Sequence, residues 1–178
     1  AQTPASDEGE TGEALFDLWY TPEPPAVLTG QVREAIVDGS LHLYLGIDVR
    51  TAGHYELAAR VDDSRGKSFA LLQSQSELAV GPQELTLVVF GKLILDAAPA
   101  MPLRLRDVDG FLLRQTEDDS EPDREHLPLL AGYVHTSGSY PPAVFSNREW
   151  QGAERDRSEK QLQDELDAAR DALCRPRP

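Results

Sequence analysis

Residues 41–50 read Leu41-His42-Leu43-Tyr44-Leu45-Gly46-Ile47-Asp48-Val49-Arg50, and this pattern indicates the fold class of the chain. Every second residue is aliphatic: Leu41, Leu43, Leu45, Ile47 and Val49. Successive side chains of a β-strand point to opposite faces of a sheet, so these five would share one apolar face. We therefore predict a half-buried strand here.

Further strand patterns extend from residue 26 to about residue 113. After a Thr51-Ala52-Gly53 turn, Tyr55, Leu57, Ala59 and Val61 alternate with more polar residues, and residues 62–67 resemble a hairpin turn. We predict further strands at residues 68–72, 85–90 and 103–108. Short apolar segments at 92–95 and 111–113 belong to the same strand region, and residues 127–136 form an apolar stretch with Tyr133 and Val134 as strand residues. Short strands separated by Gly and Pro turns favour a sandwich over alternating strands and helices. The predicted fold is mainly β, an antiparallel Ig-like β-sandwich over residues 15–145.

Three segments lie outside this pattern. Residues 1–14 are small, polar and acidic, which predicts a disordered N-terminal segment. Residues 115–126 carry six acidic residues and Pro122, which predicts a long acidic loop. Residues 146–174 are predicted to form a C-terminal amphipathic α-helix that packs on the domain or on a partner.

The predicted helix has a recognisable start and one apolar stripe. Ser146 and Glu149 have the spacing of a capping box, and Phe145 and Trp150 that of a hydrophobic staple. Its stripe consists of Leu162, Leu166, Ala169 and Leu173.

The charge balance limits the classes of partner. The chain has 31 acidic and 17 basic residues, a net charge of -14. This charge disfavours nucleic acids and anionic lipids, and suits a basic protein partner, divalent cations or solubility alone. No apolar run approaches the ~20 residues of a membrane helix, so no direct membrane insertion is predicted. The single cysteine, Cys174, leaves a free thiol and an intermolecular bridge both open.

The sequence carries no specific catalytic motif. The four histidines lack zinc-site spacing, no nucleophile elbow is present, and the glycines form neither a P-loop nor a dinucleotide fingerprint. We therefore predict no catalytic residues and no cofactor, other than a candidate calcium ion. A hydrolase domain without a recognisable motif remains an alternative.

Candidate ligand residues are of two kinds. Asp107 and Asp109 precede Gly110 with the spacing that begins a calcium loop, although a β-turn between strands explains the same residues. A calcium- or carbohydrate-binding module is therefore an alternative function. The candidate protein-binding residues are aromatic, because exposed aromatic side chains dominate interface energies: Trp19, Tyr20, Tyr140 and Trp150.

Several segments between residues 50 and 113 suggest a family. The quoted segments are Gly53-His54-Tyr55, Leu78-Ala79-Val80-Gly81, Val89-Phe90-Gly91-Lys92 and Leu103-Arg104-Leu105-Arg106-Asp107-Val108. In these segments the chain resembles Ig-like β-sandwich accessory domains of bacterial exported and cell-surface proteins. Members often have an Asp-Gly-Pro-Tyr-like segment before the last strand, where this chain has residues 98–102.

The resemblance implies a function without catalytic residues. We expect a non-catalytic interaction or accessory module of a bacterial envelope or secreted protein. The implied location is the periplasm, the outer envelope or the extracellular space, with the cytoplasm left open.

Overall fold

The computed structural model describes residues 23–114, 123–148, 160–163 and 165. Its strands are β1 (Ala26–Val37), β2 (Ser40–Val49), β3 (Gly53–Asp62), β4 (Ser68–Leu78), β5 (Gly81–Val89), β6 (Arg104–Arg114), β7 (Asp123–His126) and β8 (Leu130–Thr136). A short helix, α1 (Gly91–Ala97), follows β5, and a 3-10 turn spans Pro142–Val144.

The strands form two antiparallel sheets. One has the order β1-β2-β5. The other has the order β4-β3-β6, and both β7 and β8 pair with the remaining edge of β6. The chain is mainly β, as predicted, and this arrangement is consistent with a β-sandwich.

The core confirms the alternation in β2. Its five aliphatic residues are at most 3% exposed, and they share one hydrophobic cluster with Tyr55 and Leu57 of β3 and Leu105 of β6. Burial of these alternate side chains on the two facing sheets removes apolar surface from water, which is the dominant stabilising contribution.

Tyr55 fixes the corner between the two sheets. Its ring is fully buried, and its hydroxyl lies 2.6 Å from the Thr51 carbonyl oxygen and 3.1 Å from that of Pro25. The Pro25 oxygen also accepts the amides of Arg50 and Thr51. Burial, then the nearby Glu125 charge, raises the pKa of Tyr55, so the hydroxyl keeps its proton to donate. The start of β1 is thereby held to the β2–β3 turn.

Three predictions along the chain were wrong. Residues 92–95 belong to helix α1 and not to a strand. Asp107 to Gly110 lie inside β6 and not in a turn between strands. Residues 123–126 of the predicted acidic loop form strand β7 because they pair with the end of β6.

The ends of the chain are only partly described. Residues 146–148 are not helical, and the Ser146 hydroxyl accepts the Arg148 amide at 3.2 Å. Residues 160–163 and 165 are helical. The predicted disordered segment 1–14, residues 115–122 and the rest of the predicted helix lie outside the described residues.

Candidate functional site

Four connecting segments meet where β1, β3 and β5 end, and we call this region the α1 end: residues 38–39, 63–67, 90–103 and 137–148. Backbone hydrogen bonds of 2.9 Å tie them together, from Ser146 N to Gly39 O, Ser64 N to Ala100 O and Ser137 N to Leu103 O. Loops fixed to a rigid scaffold are the usual location of binding residues.

Gly91 shows how closely these segments pack. A Cβ atom at this position would overlap the Gly39 carbonyl oxygen and lie 2.9 Å from the Ser146 amide nitrogen. The Gly91 amide donates to the Ser40 hydroxyl at 3.1 Å. Helix α1 therefore begins where three chain segments touch, and only a residue without a side chain fits there.

An apolar groove lies between α1 and the 3-10 turn. Its cavity volume is about 160 Å³, and it is lined by Ile94, Leu95, Ala98, Pro99, Met101, Tyr140, Pro142 and Phe145. The rings of Tyr140 and Phe145 meet edge to face, with centroids 6.3 Å apart. The groove has the size and chemistry to accept one apolar side chain.

A basic rim adjoins the apolar groove. A second cavity of about 230 Å³ is lined by Asp63, Arg65, Lys67, Ser68, Phe69, Ala97, Ala98 and Pro99. Ala98 and Pro99 line both cavities, so the two surfaces are continuous. Arg65 and Lys67, which are exposed, form what we call the basic rim.

Asp63 builds the turn that presents this rim. Its Oδ1 accepts the amides of Arg65 and Lys67 at 2.9 Å, and its Oδ2 lies 3.3 Å from the Arg65 guanidinium. The hydrogen bonds from the Lys67 and Arg65 amides hold the pKa of Asp63 below its usual value. This carboxylate is therefore committed to shaping the turn.

A second acidic residue, Asp62, is buried beside the turn. Its Oδ2 accepts the Tyr133 hydroxyl at 2.9 Å and lies 2.8 Å from Arg106 Nε, a contact too bent for a hydrogen bond. Arg104 stacks on the Tyr133 ring at 4.0 Å and donates to its hydroxyl. The hydrogen bond to Asp62 raises the pKa of Tyr133. This cluster joins β3, β6 and β8.

Glu34 of β1 forms a polar link to β8 and the segment that follows it, which we call the Glu34 clasp. Its Oε1 accepts the Gly138 amide at 2.7 Å and the Tyr140 hydroxyl at 2.8 Å. Its Oε2 lies 2.9 Å from His135 Nε2 of β8. The Glu34 and His135 side chains are only 16% and 21% exposed.

Two pKa shifts in the clasp have opposite directions. Burial would raise the pKa of Glu34, but hydrogen bonds from Gly138, His135 and Tyr140 together hold it below its usual value. The same carboxylate raises the pKa of Tyr140, with burial as the second cause. Both shifts favour a charged glutamate that accepts a hydrogen bond from a neutral tyrosine.

The predicted site residues lie in different places. Tyr140 lines the apolar groove, although it is half-buried and serves the Glu34 clasp as well. Asp107 Oδ1 accepts the Gly132 amide at 2.8 Å, its Oδ2 contacts Arg106, and Asp109 is exposed opposite Ala58. The candidates Trp19, Tyr20 and Trp150 lie outside the described residues.

The described part of the chain contains no cluster of three or more His, Cys, Asp or Glu side chains suited to a metal ion. Within the same residues, no helix combines the length and hydrophobicity needed to cross a membrane.

No protein-family model matches the chain, and no curated protein sequence matches it.

Proposed function

We propose that this chain is a non-catalytic interaction module that binds a protein partner at the α1 end. One observation carries the proposal: the apolar groove continues into the basic rim across Ala98 and Pro99. An apolar anchor that fills a pocket supplies binding energy, and adjacent charges supply orientation and specificity. The matching partner segment has an apolar side chain beside acidic residues.

The charge of the whole chain acts on a longer range than the basic rim. A net charge of -14 favours a partner that is basic overall and speeds its approach. Arg65 and Lys67 act at the contact itself, where they favour an acidic segment of that partner. The expected partner is therefore a protein with a basic overall charge that carries one acidic segment at the contact.

The proposed topology is Ig-like. Lettered in the immunoglobulin manner, β1, β2 and β5 correspond to strands A, B and E, and β4, β3 and β6 to C′, C and F. β7 and β8 together take the place of strand G. The envelope or secreted location and the C-terminal amphipathic helix belong to the same proposal. The location rests on the resemblance of residues 50–113, and the helix on its apolar stripe.

A peptide library displayed on phage tests the proposed binding site. We expect selection on the full chain to enrich peptides with an aliphatic or aromatic residue next to Asp or Glu. Ala98→Glu places a carboxylate where groove and rim meet, and Ala98 is exposed, so the fold should tolerate it. Affinity measured by calorimetry should fall at least about tenfold, equivalent to roughly 1.4 kcal/mol.

Gln31→Glu is the matched control, because it adds the same charge at an exposed position on β1. The affinity of Gln31→Glu for the selected peptides should stay within about twofold of that of the unmodified chain, far from the tenfold loss expected for Ala98→Glu. Thermal unfolding of both variants would establish that they fold. Peptides that bind Ala98→Glu as tightly as the unmodified chain would refute binding at this end.

A further inference from the structure

Strand β4 is an exposed edge of its sheet, and only its first residues, Ser68 and Phe69, adjoin the basic rim. Among the described strands it pairs only with β3, along its length from Leu78 opposite Gly53 to Ala70 opposite Val61. Its outward side chains are all exposed, and Leu71 is 63% exposed: Leu71, Gln73, Gln75 and Glu77. An edge strand presents a row of backbone donors and acceptors that another strand can pair with.

The other edges carry features that obstruct strand addition, and β4 does not. β1 has a bulge with Gly30 at φ 77°, β5 begins with Gly81-Pro82, and the β7–β8 edge is interrupted around Pro128. From Ala70 to Leu78, β4 contains no Pro, Gly or Lys and keeps one register with β3. Among the described sheet edges, β4 is therefore the one with an uninterrupted row of backbone groups.

The charges around β4 favour one register for an incoming copy of the same strand. Glu77 is the single charged residue of β4, and exposed Arg60 lies opposite Leu71 on β3. In an antiparallel pair centred on Ser74, Leu71 of one copy faces Glu77 of the other, and Gln73 faces Gln75. Arg60 then lies two strands, about 10 Å, from Glu77 of the second copy, within reach of two long side chains.

We propose that two copies of this chain associate through β4, antiparallel about Ser74, into one continuous sheet. Such an interface is isologous, so each Arg60–Glu77 charge pair occurs twice. In a register centred on Gln73, Glu77 of the second copy would face Phe69 instead of Leu71. In a register centred on Gln75 it would face Gln73, and both registers move it away from Arg60. This dimer forms through Ala70 to Leu78, which line neither the apolar groove nor the cavity of the basic rim, so it does not depend on the proposed function.

Sedimentation velocity of the full chain with a charge exchange tests this dimer. We expect a dimer with a Kd below about 1 mM. Glu77→Arg and Arg60→Glu should each weaken it at least about tenfold, and the double variant should restore it. Glu23→Arg makes the same change in net charge as Glu77→Arg, at an exposed position away from β4, and should not weaken the dimer.

A cysteine at the symmetry axis tests the register. In a Cys174→Ser background, Ser74→Cys should form a disulfide-linked dimer on mild oxidation, because the two Cα atoms would lie about 4.5–5.5 Å apart. Thr86→Cys, on β5, should not. A chain that stays monomeric to about 1 mM, or a dimer that Glu77→Arg leaves unchanged, would overturn the proposal.

Discussion

Replacing Leu45 by alanine should lower the free energy of unfolding by about 2–5 kcal/mol, the range for truncating a fully buried leucine. Leu45 lies in β2, the central strand of its sheet, and is 1% exposed. The substitution removes apolar contacts and leaves a cavity between the two sheets. Because β2 is hydrogen-bonded to β1 on one side and β5 on the other, the strand cannot easily shift to fill it. Urea unfolding monitored by circular dichroism measures the change.

His42→Ala is the matched control, since it truncates a half-buried side chain on the other face of the same strand. It should change the free energy of unfolding by about 1 kcal/mol or less. Similar losses for both variants would mean that the two faces of β2 are not differently buried.

Replacing Glu34 by glutamine should destabilise the protein by about 2 kcal/mol near neutral pH, because a charged acceptor of three hydrogen-bonding groups becomes neutral. The effect should depend on pH. The pKa of Glu34 is lower in the folded state than its usual 4.5, so its contribution is fully present above about pH 4.5. It is lost as the pH falls through the lower, folded-state pKa.

Unfolding of both proteins between pH 7 and pH 3 measures this dependence. The gap in stability between wild type and Glu34→Gln should be constant above pH 5 and shrink below pH 4.5. Glu84→Gln is the control, because Glu84 pairs with Arg33 where both side chains are about half exposed. It should have a much smaller effect, since exposed ion pairs contribute little. A gap that stays constant down to pH 3 would refute the role of the Glu34 carboxylate.

The regular strands were predictable, because local alternation and tertiary burial agree there. β2, β3 and the second half of β5 bury every second residue, so their periodicity is visible without any knowledge of the partner strands. Their pairing order was not predictable, since it depends on contacts between residues far apart in the chain.

The missed elements all depend on tertiary contacts. Residues 92–95 form too short an apolar run to show a helical period, and α1 depends on burial of Gly91 and Ile94 at the α1 end. Asp107 has the turn-like φ of 49°, but it occurs as an irregularity within β6. The acidic residues of β7 form a strand because β6 supplies the pairing edge.

The candidate site was predicted only in part. Tyr140 lines the apolar groove, and its role in binding a partner stays a prediction. The Glu34 clasp was missed, because its partners His135, Gly138 and Tyr140 follow Glu34 by 101 to 106 residues. No local spacing marks that contact. The pairing of Glu34 with residues near the end of β8 becomes visible only once the two sheets are in place.

The arrangement of two sheets underlies each of these expectations, and cross-strand proton contacts measured by NMR test it most directly. We predict short distances between backbone protons of Leu43 and Leu87, which join β2 to β5, and of Leu57 and Gly110, which join β3 to β6. Contacts that join β2 to β3 in one sheet, in place of these, would contradict the account.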